Sequence, residues 1–596
     1  MVYKYDITGE LDKGSDATIY KGIQYIYDDI EKNTHLSHSN KNSIEIQKWF
    51  TDNYDDENNY IKKNDVAMKR FPYDDNNMID PIILRELAVL TKSECPHIIK
   101  LLDVYCDDNY IYIVQELEGY NLLNNIINGD LTEDDKIKLS VHIIEAINYL
   151  HSMGYNHGDI NFKNILYGKN KKGKIIDFCS STKTHRTNII YKPAIYVCPY
   201  ELLNEITRNM NDNIDSEILT VKNTKAMDMW MLGCTLYFLV TTIPLFLSDN
   251  LSIDDDSQKK VIEENICLKF YMNIQMDRPL ELIKNTNYKH IKQLLTVTPN
   301  NRKDIRYMTT TYKHLYEQYG IGCSENELFT FEHKYNKSVT NSIGNVHIDM
   351  VYFLRKTVDF YKKRKGKINI ESIFLATKNF SKLFDTPSNP TELKGSPYKK
   401  LVTCFWFSNK IVNKHTNENN IEFLKSLFHN FDIHEDTKHI RSYTFEIAKK
   451  IKWDFDPMTA FDYISDITEK MKPYFVLTMF IIFMGYNNIY ISELCKYIAV
   501  IFILHSTFKM NLSFLSKIVN KAIQSKHIDK TYIMCNIVNI LLYLQHYKDE
   551  NMLSVIDDIF EDNYFGDETK KWFNKLNFKK LFNDVSKFMN ETLANY

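Results

Sequence analysis

The chain has 596 residues, too many for one hydrophobic core, and this length predicts roughly two to four domains. Its 74 Lys and Arg residues nearly balance its 77 Asp and Glu residues, so no overall charge favours a nucleic-acid partner or an anionic membrane surface. The 10 cysteines form no CxxC pair and no cluster at zinc spacing, which argues against a zinc protein and favours reduced thiols in an intracellular protein, cytoplasmic or nuclear.

The first 116 residues alternate short β-like runs with one helical run, residues 81–93, and predict a small α+β lobe. Within it, residues 27–64 are rich in Asp, Asn and Lys, a composition typical of an exposed insertion. Residues 11–20 (LDKGSDATIY) have the shape of a strand, a turn and a second strand, with Gly14 in the turn. Any hairpin gives this pattern, so the segment alone identifies no function.

Residues 66–69 (VAMK) resemble the third-strand V-A-I-K signature of protein kinases, whose lysine contacts phosphates and pairs with a glutamate on the following helix. Lys69 ends this run, and Glu86 lies on the helical run that comes next. A cation held beside phosphate oxygens needs a carboxylate that keeps it charged and in place. The resemblance therefore implies an ion pair between Lys69 and Glu86, although a surface lysine at a strand end gives the same local pattern.

The most specific pattern is NHGDINFKN, residues 156–164, followed by IIDF, residues 175–178. A carboxylate (Asp159), an amide five residues later (Asn164) and a second carboxylate after a strand (Asp177) resemble the catalytic loop and metal-binding turn of protein kinases. The resemblance implies that Asp159 accepts or orients the proton of the substrate hydroxyl, and that Asn164 and Asp177 hold Mg²⁺. The HGDxxxxN pattern also resembles aminoglycoside and choline kinases, which phosphorylate small molecules.

Later motifs favour a protein kinase over a small-molecule kinase. Residues 199–201 (PYE) stand where protein kinases have Ala-Pro-Glu, and residues 228–233 (DMWMLG) match D-x-W-x-x-G. Arg302 is the arginine expected to pair with Glu201. The order and the intervals of these motifs resemble those of eukaryotic-type protein kinases.

The resemblance implies both a fold and a set of site residues. The expected fold is an α+β bilobal protein kinase, with a small lobe over residues 1–116 and a large lobe over 117–320. ATP and Mg²⁺ are the implied cofactors, and a protein is the implied substrate. The implied residues are, for catalysis, Asp159, Lys69 and Glu86; for nucleotide binding, Leu11, Gly14, Ile19, Ala67, Lys69, Glu116, Leu117 and Asn164; and for the metal, Asn164 and Asp177.

Two further segments narrow the resemblance to cyclin-dependent kinases. Residues 80–87 (DPIILREL) are similar to the cyclin-reading helix, whose Pro-Ser-Thr-Ala-Ile-Arg-Glu motif Arg85 and Glu86 match. Residues 97–104 (HIIKLLDV) are similar to the HPNIVKLLDV run of the same family. The resemblance implies a serine/threonine protein kinase of cyclin-dependent type.

The C-terminal region is predicted to be all-α and to follow a polar linker, residues 321–345. Three of its segments resemble helices of a cyclin box: residues 370–376 (IESIFLA), 401–410 (LVTCFWFSNK) and 451–459 (IKWDFDPMT). We therefore expect a cyclin-like helical domain over residues 346–470 and a second cyclin-like bundle over 471–596.

These helices are expected to act on the kinase within the same chain. Lys410 matches the cyclin-box lysine that contacts the kinase helix, although a solvated surface lysine gives the same pattern. The apolar stretches 474–485 and 497–504 are shorter than the roughly 20 residues that cross a bilayer, so they predict buried helices and no membrane partner. We expect a monomer with an intramolecular cyclin-like partner.

Several residues depart from the kinase pattern. Gly158 and Thr182 replace two arginines that bind a phosphorylated activation loop and leave only Arg85, so we expect activation without loop phosphorylation. Asn161 replaces a lysine that steadies the γ-phosphate and Cys179 replaces a glycine, which predicts slow catalysis. The alternative is a catalytically silent pseudokinase–cyclin scaffold that binds host proteins. The excess of Asn, Ile and Lys is typical of an AT-rich genome, and indicates a large DNA virus or a protist and, with it, a host cell as a location.

Overall fold

In the computed structural model the chain divides into two units, Met1–Glu325 and Asn326–Tyr596. The division falls inside the segment predicted as a linker. The residues that the structure describes are 2–14, 17–27, 61–73, 79–107, 109–129, 131–168, 170–186, 189–190, 194–202, 220–221, 224–245, 283, 288–319, 350–364, 368–383, 396–412, 421–457, 459, 461–462, 467–468, 470–485, 493–509, 530–549, 553 and 566–593.

The first unit begins with a five-stranded antiparallel sheet in the order β1-β2-β3-β5-β4. Its strands are β1 (Val2–Lys13), β2 (Thr18–Tyr27), β3 (Lys62–Pro72), β4 (Leu101–Cys106) and β5 (Tyr110–Glu116). The register places Ile19 of β2 and Ile113 of β5 directly opposite Lys69 of β3. Opposed residues of antiparallel strands point to the same side, so these three side chains share one face of the sheet.

Strands β2 and β3 run further into the segment predicted as an insertion, residues 27–64, than its composition indicates. Strand β2 ends at Tyr27, and β3 already begins at Lys62. The polar side chains on these strand ends bond to each other, since Asn64 donates to Gln24 at 3.1 Å. The remainder of the predicted insertion lies outside the described residues.

Helix α1 (Pro81–Leu90) carries Glu86 and has a well-defined start. The Asp80 carboxylate caps it by accepting a hydrogen bond from Ile82 N at 2.8 Å. Pro81 occupies the first turn, where a helix needs no backbone donor. The cap fixes where the helix begins and thereby the position of Glu86 along it.

In the residues that the structure describes, the rest of the first unit is mainly helical, with short strands of two or three residues. The helices are α2 (Leu122–Ile127), α3 (Glu133–Ser152), α4 (Lys225–Thr241), α5 (Ile305–Thr311) and α6 (Lys313–Tyr319). The strands are β6 (Tyr120–Asn121), β7 (Tyr155–Asn156), β8 (Ile165–Tyr167), β9 (Gly173–Ile175), β10 (Thr182–Lys183), β11 (Ile189–Ile190) and β12 (Thr220–Val221). Helix α3 begins with a capping box formed by Thr132 and Asp135. Residues 157–164 lie between β7 and β8.

Every element in the described part of the second unit is a helix. The helices are α7 (Met350–Lys363), α8 (Ile370–Lys382), α9 (Pro397–Val412), α10 (Ile421–Asn430), α11 (Thr437–Lys450), α12 (Lys472–Gly485), α13 (Glu493–Phe508), α14 (Lys530–Asp549), α15 (Asp567–Asn574) and α16 (Phe578–Leu593). Helices α7–α11 pack on one another, and so do α12–α16. Among the described residues no helix combines the length and the apolar character that a bilayer crossing requires.

Residues 451–455 (IKWDF), the first part of the predicted motif, form a tight turn after α11. Lys452 and Trp453 both have left-handed backbone angles, φ 55° and 59°. The turn is bound to α8, because Lys382 Nζ donates to Asp454 Oδ2 at 2.6 Å and Asn379 Nδ2 donates to Phe455 O at 2.8 Å. These contacts fix the path of the chain as it leaves α11.

Lys410 of α9 is fully buried, with 0% of its surface exposed. Its Nζ lies 4.3 Å from the centre of the Trp406 ring, close enough for a cation–π contact. A solvated surface lysine, which the sequence pattern left open, is therefore excluded.

Candidate active site

The predicted pair of Lys69 and Glu86 is present, and it joins β3 to α1. Lys69 Nζ donates to Glu86 Oε2 at 2.7 Å, and 7% of Lys69 and 0% of Glu86 are exposed. Burial by itself would lower the pKa of Lys69, but the negative charges around it outweigh burial, and its pKa lies well above the ordinary value. Burial raises the pKa of Glu86, and the charge of Lys69 offsets part of that rise. The ammonium therefore stays charged inside the protein.

Asp177 completes this cluster from the other side. Lys69 Nζ donates to Asp177 Oδ1 at 2.9 Å, and Asp177 has a left-handed backbone angle, φ 64°. Burial would raise the pKa of Asp177, but Lys69 lowers it to about 2, so the carboxylate is ionised. One ligand atom each from Glu86, Asp177 and Cys179 lie within 4.8 Å of one another, a spacing that could suit a metal ion. Lys69 Nζ lies within 3.5 Å of all three, so the cation of this cluster is the lysine ammonium.

Two asparagines hold the carboxylate of Asp159. Asn161 Nδ2 donates to Asp159 Oδ1 at 3.0 Å, and Asn164 Nδ2 donates to Asp159 Oδ2 at 2.9 Å. Burial and the nearby charge of Asp177 raise the pKa of Asp159 to about 7, although the two asparagines act in the opposite direction. Asp159 can therefore gain or lose a proton near neutral pH, as a general base must.

The backbone before Asp159 is anchored by the buried carboxylate of Asp228 in α4. Asp228 accepts hydrogen bonds from His157 N at 2.8 Å and from Gly158 N at 2.9 Å. It also contacts His151 Nε2 at the end of α3 at 2.8 Å. Gly158 has a φ of 84°, a backbone conformation that side-chain-bearing residues rarely adopt. The helical core thus positions the start of the loop, while Asn161 and Asn164 bind the part that follows.

The predicted pairing of Arg302 with Glu201 is confirmed. Arg302 Nη1 and Nη2 donate to the two carboxylate oxygens of Glu201, each at 2.7 Å. The same guanidinium donates to the carbonyls of Thr296, Ala226 and Val297. This fork shape cannot be reproduced by a lysine.

Truncating Arg302 is expected to destabilise the first unit strongly. Arg302→Ala leaves a carboxylate and three carbonyls without their donor, and we expect a loss of roughly 3 kcal/mol in the free energy of unfolding. Chemical denaturation followed by tryptophan fluorescence measures it. Arg302→Lys is the matched control, since it keeps the charge without the forked guanidinium. It should recover less than half of the lost free energy of unfolding. A loss below about 1 kcal/mol for Arg302→Ala would contradict this role.

The predicted nucleotide contacts are placed as follows. Ala67 and Ile19 share the sheet face of Lys69, because Ala67 lies two residues before it and Ile19 lies opposite it. Leu11 is 51% exposed on β1, and Gly14 N donates to Ala17 O at 2.9 Å in the β1–β2 turn. The structure therefore brings Ile19 and Ala67 to the Lys69 face and leaves Leu11 open on β1.

Two more residues predicted to contact the nucleotide are Glu116, the last residue of β5, and Leu117, the next residue along the chain. The Glu116 carboxylate accepts from Lys174 Nζ at 2.6 Å and from Lys100 N at 2.8 Å. Leu117 is half-buried. The Glu116 N–H also donates to Lys100 O at 3.1 Å, so Oε1 and the backbone donor of this residue are both committed to bonds within the protein.

Three contacts in the site were not foreseen from the sequence. Gln115 Nε2 donates to Glu86 Oε1 at 3.4 Å, and Cys179 Sγ lies 3.0 Å from Glu86 Oε2. Burial raises the pKa of Cys179 well above its ordinary value, so the sulfur is a protonated thiol that can donate. Asn161, expected only as a missing lysine, binds Asp159 directly.

The residues predicted to hold Mg²⁺ fit that ion by their chemistry. Asn164 Nδ2 is taken by Asp159, and within the described residues Asn164 Oδ1 accepts no hydrogen bond. The Asp177 side chain is 36% exposed and ionised. Mg²⁺ prefers hard oxygen ligands such as a carboxylate and an amide oxygen.

The activation-loop threonine that the structure describes is engaged in hydrogen bonds. Thr184 Oγ1 donates to Gly154 O at 3.0 Å and lies 3.1 Å from Asn156 Oδ1. Arg85 Nη1 contacts Cys179 O at 3.5 Å. Thr187, three residues further along the chain, lies outside the described residues.

Residues 58–316 match the protein kinase domain family. The chain contains a protein kinase domain. The matched range includes every residue of the Lys69, Asp159 and Asp177 cluster, together with Asp228 and Arg302. Strands β1 and β2 precede the matched range, yet they belong to the same sheet as β3, because β1 pairs with β2 and β2 pairs with β3.

Several characterised kinases resemble this chain over part of its length. It is 29% identical to the serine/threonine-protein kinase H1 homolog of Danio rerio over 36% of the chain and 48% of that protein. It is 30% identical to the probable serine/threonine-protein kinase fhkD of Dictyostelium discoideum over 36% of the chain and 28% of that protein. It is 25% identical to sperm motility kinase 2B of Mus musculus over 54% of the chain and 61% of that protein. The chain therefore spans between 28% and 61% of the length of these relatives.

Proposed function

We propose that the chain is a serine/threonine protein kinase that transfers the γ-phosphate of ATP to a protein hydroxyl. The observation that carries the proposal is the contact of Lys69 Nζ with Glu86 Oε2 at 2.7 Å and with Asp177 Oδ1 at 2.9 Å. These contacts join the sheet that would hold a nucleotide to the turn that would hold its metal. Relatives named as serine/threonine kinases support the choice of acceptor.

Each residue of the cluster would have a separate task. Lys69 would bind phosphate oxygens of the nucleotide while Glu86 keeps it in place. Asp159, held by Asn161 and Asn164, would orient the acceptor hydroxyl and take its proton. MgATP, when bound, supplies the phosphoryl group and neutralises its charge, with Asn164 and Asp177 as the protein ligands of the metal.

Transfer of radiolabelled phosphate tests the proposal. The purified full chain is incubated with γ-labelled ATP and Mg²⁺, with either a mixture of general protein substrates or an aminoglycoside and choline as acceptors. Label on serine and threonine of the proteins supports a protein kinase. Label on the small molecules alone would establish the competing small-molecule activity instead.

A catalytically silent scaffold is the second candidate. It is favoured by the two amide hydrogen bonds that already occupy both oxygens of Asp159, and by the thiol at Cys179. Failure of label transfer, combined with retained binding of an ATP analogue by the same preparation, would support this candidate.

We also propose that the kinase is of cyclin-dependent type and that the second unit activates it in cis as a cyclin-like domain. The proposal is supported by the similarity of residues 80–87 to a cyclin-reading helix and of 451–459 to a cyclin-box motif. The wholly helical composition of the described second unit agrees with it. A linker keeps the second unit at an effective concentration of about 1 mM, so a free cyclin would not be required.

Cutting the linker tests activation in cis. With a protease site introduced into residues 321–345, the cut chain is expected to lose activity on dilution, because an intramolecular partner becomes a bimolecular one. The uncut chain should keep the same activity per mole at every concentration. The same protease applied to the original chain is the control. Equal activity of cut and uncut chains throughout a dilution series would contradict activation by the second unit.

A further inference from the structure

The carboxylate of Glu86 is held from three directions. Oε2 accepts from Lys69 Nζ at 2.7 Å and from Cys179 Sγ at 3.0 Å. Oε1 accepts from Gln115 Nε2 at 3.4 Å. A lysine alone would fix only one oxygen and would leave the carboxylate free to rotate, whereas donors on both oxygens fix its plane.

Cys179 touches α1 with both its side chain and its backbone. Its Sγ bonds to Glu86, and its carbonyl oxygen lies 3.5 Å from Arg85 Nη1. Its N–H donates to Asp177 Oδ1 at 3.3 Å, and Lys69 Nζ approaches its Sγ at 3.5 Å. A glycine at this position would keep the backbone contacts and lose those of the sulfur.

We propose that Cys179, together with Gln115, is a positioning residue that holds Glu86 against Lys69 from within the kinase domain. The inference rests on the proposed kinase function. It assigns a role to a residue that the sequence shows only as a replacement for the usual kinase glycine. The thiol donates a hydrogen bond to the buried carboxylate, and no covalent step is involved.

All the groups that hold Glu86 belong to the first unit. The internal hold therefore keeps helix α1 in place in addition to any contribution from the second unit. We therefore expect the Lys69–Glu86 pair to survive when the linker is cut. Substitution of Gln115 or Cys179 should then weaken it.

Variants of the full chain separate this role from general stability. Cys179→Gly and Gln115→Leu each remove one of the two donors. Cys179→Ser supplies a hydroxyl donor in place of the thiol. Cys535→Ser controls for the loss of a thiol elsewhere, since Cys535 is exposed in α14. The first measurement is hydrogen–deuterium exchange of the α1 amides, residues 81–90. We expect Cys179→Gly to speed this exchange about 10-fold, because a hydrogen bond to a charged group is lost. Cys179→Ser should recover most of the change.

The second measurement is kcat/KM for ATP, in the wild-type background and in Glu86→Ala. Cys179→Gly should lower it about 10-fold in the wild-type background and leave it unchanged beside Glu86→Ala, because the thiol acts through that carboxylate. Equal loss in both backgrounds, or α1 exchange at the wild-type rate in Cys179→Gly, would overturn the positioning role. If the wild-type chain transfers no phosphate, the kinase proposal fails, while the exchange measurement still decides whether Cys179 holds α1.

Discussion

Asp159→Asn is expected to reduce phosphate transfer by about 10²- to 10⁴-fold, the range in which general-base groups contribute. The substitution keeps the size of the side chain and removes its ability to accept a proton. It also replaces one acceptor oxygen of the Asn161 and Asn164 contacts with a donor. Transfer of γ-labelled phosphate to protein, compared at saturating ATP, measures the loss in kcat.

The binding of an ATP analogue provides the control for this variant. Asp159 does not contact Lys69 in the structure, so affinity for the analogue should stay within about 3-fold of wild type if only the chemical step is affected. A variant that transfers phosphate as fast as wild type would show that Asp159 is not the base.

Lys69→Met is expected to have the largest combined effect on activity and stability. Removing a fixed cation from the phosphate site typically lowers the rate by about 10²- to 10³-fold. The same change strands the fully buried carboxylate of Glu86, which should lower the free energy of unfolding by about 3–5 kcal/mol. Activity assays and chemical denaturation of the same preparation measure the two effects.

A double variant separates these two effects. Lys69→Met combined with Glu86→Leu exchanges a buried ion pair for apolar packing, which is often close to neutral for stability. We therefore expect the double variant to recover most of the lost stability and none of the lost activity. If stability stayed low, the stranded charge would not be its cause; if activity returned, Lys69 would not be required for transfer.

The sequence identifies those site residues that lie close to one another along the chain. Asp159 and Asn164 are five residues apart on one loop, so the catalytic-loop pattern identifies both, and the structure brings Asn164 Nδ2 to 2.9 Å from Asp159 Oδ2. Lys69 and Glu86 could be paired because residues 66–69 resemble a kinase signature whose lysine pairs with a glutamate on the following helix, and that helix has a clear start at Asp80.

Other contacts depend on strand register and helix packing, which the sequence pattern does not specify. Gln115 reaches Glu86 because the register of β3 and β5 sets Ala67 opposite Gln115, and nothing in the sequence fixes that register. Cys179 could be recognised as a missing glycine, but what its sulfur touches depends on how α1 packs. The burial of Lys410 likewise has no local signal in the sequence.

The single carboxylate of Asp228 binds the backbone of the loop before Asp159 and a histidine at the end of α3. Both partners belong to the core of the first unit, so local unfolding of the loop would have to break contacts of that core. On heating, the proposed phosphate transfer should therefore be lost at the same temperature at which the first unit unfolds.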